Sequence, residues 1–338
     1  MKVLVTGGTG FVGGHVVAAL AKGGHDIRLL VRRPEQVQAT LGPLTPAEPE
    51  VVVGDVLDEQ SVAAAISGCD ALVHAAAVYS FDPRRAEEMR RTNVRATEIA
   101  LGAAIEGALD PVVHISSTVA LTRRGGSDPG LPLGDIDLPY TQSKIDAERV
   151  ARKLQDGGAP VVTIYPGAVY GPHDPYRGEQ TERLRWLLRG QFPIWPRGGL
   201  HIVDVRDVAT LVAAVLEPGR GPRRFVVPGH HVDGHELYRT LAGITGRRLP
   251  HVIAPRAVLA PTARFFDAVQ RPLPERWRYP ANLEGAEVTL RDTRFDDTPA
   301  REEFGLTPRS LAETLTDTIR WLADTGRLPR RYAGDLAR

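Results

Sequence analysis

The chain is poor in several things, and each scarcity excludes something. It holds one cysteine, Cys69, so no intrachain disulfide can form. That fits a reducing compartment, and the residue reads as small packing rather than as a nucleophile. Neither sign of charge is in excess: the formal net charge is +1. No bulk pull toward nucleic acid or a membrane surface follows. No apolar run approaches the length of a membrane span. The N-terminus runs straight into a strand-like segment, without the layout of a signal peptide. We therefore expect a cytoplasmic protein with neither nucleic acid nor membrane as partner. Internal repeats and low-complexity tracts are lacking too.

What is present is ordinary globular material: 338 residues, 42% hydrophobic and 25% charged. That length suits two domains, or one large domain with an appended lobe. Short apolar runs at 2–6, 27–31, 50–53, 71–75, 111–116 and 160–165 read as strands. Helical patterns at 11–22, 59–67, 85–107 and 140–156 alternate with them. Such alternation predicts an α/β fold with a parallel sheet covered on both faces. The pattern changes after Gly171. Segment 172–200 is rich in Pro, Gly and Arg, with one helical stretch at 180–189. A strand-like start and an apolar helix follow over 202–216, then a short strand at 225–227. Helical patterns recur at 235–244, 254–269 and 309–323. We expect residues 1–171 plus about 201–227 to form one domain, and 172–200 plus about 228–338 a substrate lobe.

The first strand runs into Thr6-Gly7-Gly8-Thr9-Gly10-Phe11-Val12-Gly13. Both Gly8/Gly10/Gly13 and Gly7/Gly10/Gly13 fit glycine-rich dinucleotide turns. Such glycines let the backbone turn sharply, approach a pyrophosphate and pack helix on strand. The helix N-terminus, at Phe11 and Val12, offers free N–H groups to phosphate.

In such folds an acidic residue ending the second strand takes the ribose hydroxyls. Here that position is Val31 or Arg32, and Arg33 follows. Two guanidinium groups suit a 2′-phosphate, so NADP is expected ahead of NAD. The bland reading is that both arginines are solvated. Asp55 either accepts from an adenine amino group or caps the next turn.

Tyr140-Thr141-Gln142-Ser143-Lys144 opens a helical stretch, and residues four apart share a face. Tyr140 and Lys144 can thus address one site, where a cation lowers the phenol pKa. Such a tyrosine gives a proton to a carbonyl oxygen, or takes one in reverse. The fifth strand ends in Ser116-Ser117-Thr118, where the ligand crevice of such sheets lies. Of these we choose Ser117 to hold the substrate oxygen.

These residues together resemble the extended short-chain dehydrogenase/reductase family. The match is Thr6-Gly7-x-x-Gly10-x-x-Gly13, Gly54-Asp55, His74-Ala75-Ala76, Asn93-Val94, Ser116-Ser117, Tyr140-x-x-x-Lys144 and Tyr165-Pro166-Gly167-x-x-Tyr170-Gly171-Pro172. His201-Ile202-Val203-Asp204-Val205-Arg206-Asp207-Val208-Ala209 resembles a later family signature. The resemblance implies a Rossmann-type doubly wound sheet with a smaller, mostly helical C-terminal lobe, an NAD(P) cofactor and a Ser117–Tyr140–Lys144 catalytic set. It implies that Ala75 and Ala76 pass beside the ribose and pyrophosphate, that Pro166 and Val169 wall the nicotinamide, and that Asn93 supports the site. Val56, Ala77, Tyr165 and Gly167 join the expected cofactor contacts. A homodimer through 85–107 and 140–156 is a further implication.

Sugar-nucleotide members differ from this chain at Ile164-Tyr165-Pro166-Gly167 and at Val31-Arg32-Arg33. The resemblance is therefore to the dihydroflavonol-reductase-like branch. The expected activity is an NADP-dependent interconversion of a ketone or aldehyde and its alcohol. The alternatives are a nucleotide-sugar epimerase or dehydratase, and a non-catalytic dinucleotide sensor. Tyr79, Phe81, Thr118 and Tyr170 are the expected substrate wall. Phe265-Phe266 and Trp277 read as core or as more of that wall. His230, His231 and His235 fit no zinc spacing, so no metal is expected, and Asp233 reads as a helix cap. The arginines at 183, 185 and 189 read as a solvated helix face or a diphosphate clamp.

Overall fold

The computed structural model describes residues 1–80, 83–123, 130–259 and 283–337, with Pro261, Phe265 and Val269 between the last two stretches. Phe81, Phe266 and Trp277 lie outside the described residues.

Seven parallel strands form the central sheet. In chain order they are β1 (Lys2–Thr6), β2 (Asp26–Val31), β3 (Glu50–Val53), β4 (Ala71–His74), β5 (Val112–Ile115), β6 (Val161–Tyr165) and β10 (Arg223–Val226). Their spatial order is β10-β6-β5-β4-β1-β2-β3. The order reverses between β1 and β4, the crevice where such sheets bind ligands. A second sheet joins β7 (Ala168–Tyr170), β9 (Gly199–Asp204) and β11 (His230–Asp233). A third pairs β8 (Ile194–Pro196) with β12 (Val252–Ala254). The expected strands are present, as are the helices expected over 11–22, 59–67, 140–156, 180–189, 235–244 and 309–323, with ends moved by one to three residues, while part of the helix expected over 254–269 lies outside the described residues. The short strands β7, β8, β11 and β12 were not expected, because three or four residues carry no readable period.

Among the described residues the longer helices are α1 (Phe11–Lys22), α2 (Glu35–Leu41), α3 (Glu59–Ile66), α4 (Ala86–Arg90), α5 (Ala96–Glu106), α6 (Pro139–Asp156), α7 (Glu179–Leu188), α8 (Val205–Ala214), α9 (Gly234–Thr245), α10 (Leu283–Arg291), α11 (Thr298–Phe304) and α12 (Leu311–Asp324). The expected single helix over 85–107 is broken by a π turn at Arg91–Arg95, between α4 and α5. Asn93 is the buried residue of that π turn, whose hydrogen bonds span five residues instead of four.

Two faces of the sheet bury separate cores. Val3, Val5, Val16, Val17, Leu29, Val208 and Val212 pack on the α1/α8 side. Leu4, Val62, Leu72, Ile99, Leu101 and Val161 pack on the α3/α5 side. A third core, away from the sheet, gathers Tyr170, Leu184, Leu188, Trp195, Leu237, Leu241, Leu315 and Ile319. Ala300 of α11 belongs to the α1/α8 core instead, so chain beyond 228 also covers the central sheet.

The segment from His201 to Ala209 welds these cores. Asp204 caps α8 through Arg206 N at 2.8 Å, pairs with the Arg206 guanidinium, and accepts from Thr314 Oγ1 of α12 at 2.9 Å. Asp207 pairs with Arg309. Asp233 caps α9, accepting from Glu236 N at 2.8 Å. The nearby histidines find separate partners: His230 the Arg309 carbonyl, His231 the Asp292 carboxylate, His235 the His251 ring.

Candidate active site

A cavity of about 420 Å³ opens at the C-terminal ends of β1, β4, β5 and β6. Its floor is the glycine turn. Gly7 has a left-handed φ of 75°, and a Cβ there would lie 2.7 Å from the Ala75 carbonyl carbon. A Cβ on Gly13 would lie 2.1 Å from Gly7 O. This settles the register left open by the sequence: Gly7, Gly10 and Gly13 build the turn. Gly8 instead packs on Leu29, whose Cδ2 would be 2.7 Å from an added Cβ.

Gly10 is the N-cap of α1 and supplies no side-chain cap. The first N–H groups of α1 therefore have no side-chain acceptor, and Phe11, Val12 and Gly13 line the cavity. A helix N-terminus left open in this way fits the diphosphate of a dinucleotide.

One wall comes from the end of β5 and the start of α6. Ser117 caps the single turn Thr118–Leu121, accepting from Val119 N at 3.2 Å. Tyr140 sits in the first turn of α6 and Lys144 one turn on, so both face the cavity. The Ser117 hydroxyl hydrogen-bonds the Tyr140 phenol. Ser117, Tyr140 and Lys144 are 7%, 6% and 7% exposed, so water screens their charges little.

The electrostatics differ from the expectation in one respect. Burial, and after it the Glu284 carboxylate, hold the Tyr140 phenol well above its ordinary pKa. The sequence reading had Lys144 lowering it. Burial instead acts on Lys144 itself, pushing its ammonium down to about 8.

Gly7, Gly10, Phe11, Val12, Gly13, Ala75, Ala77, Pro166, Gly167 and Val169 line the cavity, as do Tyr79 and Thr118. Other expected contacts do not. Thr6 Oγ1 is 2.8 Å from His74 Nδ1 and takes Ala76 N at 3.4 Å, tying β1 to β4. Asn93 is spent on Val78 N and O, at 2.8 and 3.0 Å, and on Ser143 Oγ at 3.0 Å. It positions the β4 loop against α6. Tyr165 turns its phenol to Glu148, at 2.5 Å, under α6. Strand alternation turns it away from the side that Pro166 presents to the cavity. Tyr170 points into the third core, and its OH reaches Gln180 Oε1 at 3.3 Å. Asp55 accepts from Leu57 N at 2.9 Å, as a turn cap. Arg32 and Arg33 are exposed beyond β2, without a side-chain partner among the described residues. Val56 and Ala76 lie outside the cavity lining.

Three residues at the site were not singled out for it, and a fourth, Arg183, was left between two readings. Glu284 of α10 accepts from Tyr140 N at 3.3 Å, Thr141 N at 2.5 Å and Thr141 Oγ1 at 2.6 Å. It caps α6 from across the molecule. The signal was negative: Leu138-Pro139-Tyr140 has no local cap residue, so those N–H groups need a distant acceptor. Gln180 donates to the Tyr79 OH at 3.0 Å, and the Tyr79 ring lies 4.7 Å from that of Tyr140. Tyr176 reaches Gln36 of α2 at 2.9 Å, bridging the segment before α7 to the sheet side. Arg183 of α7 lines the cavity at 8% exposure rather than forming a solvated face. Arg185 does stand apart, paired with Glu182, and Arg189 lies over Tyr332.

A Rossmann sheet, an open glycine turn and a tyrosine–lysine pair on one helix define an NAD(P)-dependent enzyme of the short-chain dehydrogenase/reductase type. The comparisons agree: the chain belongs to the NAD dependent epimerase/dehydratase family, whose model matches residues 3–227. It is 30% identical to the "Putative dihydroflavonol 4-reductase" of Synechocystis sp., over 95% of this chain and 94% of that one. It is 29% identical to the 4-hydroxy-2-methyl-3-oxo-4-farnesyl-3,4-dihydroquinoline-1-oxide ketoreductase of Stigmatella aurantiaca, over 98% and 100%. The crystal structure of gox2253 superposes with a TM-score of 0.79 at 28% identity, covering 97% of this chain and 99% of that one. No helix among the described residues is long and apolar enough to cross a membrane.

Proposed function

We propose that this enzyme is an NADP-dependent oxidoreductase that interconverts a ketone or aldehyde and its alcohol. The observation that carries the reading is the convergence of Ser117, Tyr140 and Lys144 on one wall of the cavity whose floor is the glycine turn. The two curated relatives above, named for reductase activity, support the direction of the reading. Gly7, Gly10, Gly13 and the first N–H groups of α1 hold the diphosphate. Pro166, Gly167 and Val169 flank the nicotinamide, and Arg32 and Arg33 take the 2′-phosphate. The bound cofactor supplies a hydride to the carbonyl carbon in reduction and accepts it in oxidation.

The rest belongs to the side chains. Tyr140 Oη carries its proton at neutral pH, because burial and Glu284 favour the neutral phenol. It gives that proton to the carbonyl oxygen as the carbon is reduced, and regains one from solvent afterwards. Ser117 Oγ, already bonded to the phenol, holds the same oxygen. Lys144 orients the ribose and offers a positive charge beside the phenolate that forms. In this reading residues 1–171 and about 201–227 serve the cofactor, while 172–200 and later chain serve the substrate.

The test is NADPH oxidation by the purified full chain against aldehydes, ketones, steroids and nucleotide sugars, with product analysis. Stoichiometric NADPH loss with alcohol formation is expected. Conversion of a nucleotide sugar without net cofactor consumption would replace this reading with epimerisation, and cofactor binding without turnover would replace it with sensing.

A further inference from the structure

Arg183 lines the cavity, and hydride transfer and cofactor binding leave it unused. The residue is only 8% exposed, yet among the described residues it donates no hydrogen bond and pairs with no carboxylate. A buried charge without a partner is costly and calls for one. Nor are its nitrogens sealed in protein. Nε of Arg28, Arg223 and Arg291 is enclosed without a partner, and no atom of Arg183 is. Its polar atoms therefore face the cavity.

The neighbouring arginines show what satisfied ones look like. Arg185 binds Glu182 and the Arg327 carbonyl, and Arg177 lies 3.6 Å from Glu182. Arg183 is one turn beyond Gln180 on the same face of α7. Gln180 holds Tyr79, and Tyr79 lies against Tyr140. The chain Tyr140–Tyr79–Gln180–Arg183 thus runs from the proton donor to an open cation along a single wall.

We propose that Arg183 binds a carboxylate on the substrate, so that the carbonyl compounds this enzyme reduces are oxo acids. The inference rests on the proposed carbonyl reduction and names its substrate class. A guanidinium fork matches a carboxylate or a phosphate in bidentate geometry. The surroundings favour the single charge. Glu179 and Asp174 also line the cavity. The Asp174 carboxylate accepts from Tyr176 N at 3.1 Å, Gly178 N at 2.7 Å and Thr181 Oγ1 at 2.6 Å, donors that leave its charge in place. Two carboxylates lining the same cavity as one guanidinium repel a dianion more than a monoanion.

The experiment uses the full chain with NADPH and a series of unbranched oxo acids of increasing length, the methyl ester of each, and the matching oxoalkyl phosphates. The best acid should exceed its ester at least about tenfold in kcat/KM, mainly through KM, as one charge-assisted contact gives. Arg183→Ala should collapse that ratio by striking the acid far harder than the ester, and Arg183→Lys should restore part of it. If Arg183→Ala folds poorly, Arg183→Gln keeps the volume and removes the charge, with the same collapse expected. Calorimetric binding of the acids and esters reads the same preference without turnover, so a failure of carbonyl reduction is told apart from a failure of this site. Equal use of acid and ester by the wild type overturns the proposal. So does a preference for the phosphates, or a variant that loses acid, ester and NADPH affinity alike.

Discussion

The two walls of the cavity are made in opposite ways. On the β5/α6 wall the backbone that carries the reactive groups is tied down, from Val119 N on Ser117 to the α6 N–H groups on Glu284, although Ser116 Oγ is buried there without a partner. The reactive groups Ser117, Tyr140 and Lys144 face inward, and they occur in a spacing that is readable in the sequence. The α7 wall comes from a Pro-, Gly- and Arg-rich stretch with no motif, and it presents Arg183 without a partner. The first wall is fixed by what chemistry at a nicotinamide requires of any substrate. The second is shaped by whatever group a particular substrate brings, so its information lies in an unmet need rather than in a pattern.

The largest test of the contrast removes the reactive atom from the first wall. Tyr140→Phe keeps the ring against Tyr79 and deletes the proton donor. Positioned acid catalysis is typically worth about 10²–10⁴-fold, so kcat should fall by at least the lower figure, with little change in NADPH affinity by fluorescence titration. A variant retaining half the wild-type kcat, with chemistry shown to limit the rate, would move the acid elsewhere.

Lys144 comes next. Lys144→Met should weaken dinucleotide binding at least about tenfold, the low end for a charge-assisted contact. Its pH signature is sharper. With the ammonium at about 8 in the fold, kcat/KM should decline above that pH as the charge is lost. Stability should move the other way. An unfolded lysine keeps its proton to about 10.5. Between those values the unfolded chain binds more protons, so the contribution of this residue to stability rises with pH. The variant should lose both trends together; an alkaline limb that survives belongs to another group.

The legibility of the two walls follows the same division. Buried parallel strands must be continuous apolar runs, so β1, β2, β4, β5 and β6 could be read directly. The glycine turn was readable because sterics admit nothing else at Gly7 and Gly13. That the Tyr165 phenol turns away from the cavity and that Asn93 is held by Val78 and Ser143 could not be read, because a motif names residues and not the direction of a side chain. Glu284 lies 144 residues from Tyr140, a separation no local pattern spans. Arg183 did leave a trace. Gln180, Arg183, Leu184, Leu187 and Leu188 follow the i, i+3, i+4, i+7, i+8 stripe of a buried helix face. A cation on that stripe had to be buried.

Cofactor choice should give a middling effect, since its residues lie at the exposed edge beyond β2. A 2′-phosphate carries about −1.5 to −2 charges, by analogy with other phosphomonoesters, and Val31 offers nothing to repel it. Solvent screening brings each arginine contact to the low end of its range, roughly tenfold. NADPH should therefore exceed NADH in kcat/KM about tenfold or more, through KM. Arg32→Ala should erase most of this by raising the KM for NADPH, while that for NADH moves far less. Equal use of the two cofactors by the wild type would return the epimerase reading to first place.

The smallest effect should come from Glu284, and its signs are diagnostic. Glu284→Gln leaves one acceptor oxygen where two now serve Tyr140 N, Thr141 N and Thr141 Oγ1. Losing a helix cap costs about 1 kcal/mol, or about 2–4 °C of Tm in a chain of this size class. The same change removes the charge that, after burial, holds the Tyr140 phenol up. The phenolate then becomes easier to form. Alcohol oxidation needs that phenolate as its base, so at a fixed mildly alkaline pH its rate should rise a few-fold, and the tyrosine-dependent limb should move to lower pH. A residue that merely braced α6 would lower stability and oxidation together. Opposite signs in the two measurements are what a carboxylate tuning the proton donor from the far lobe requires, and matching signs would reduce Glu284 to a cap.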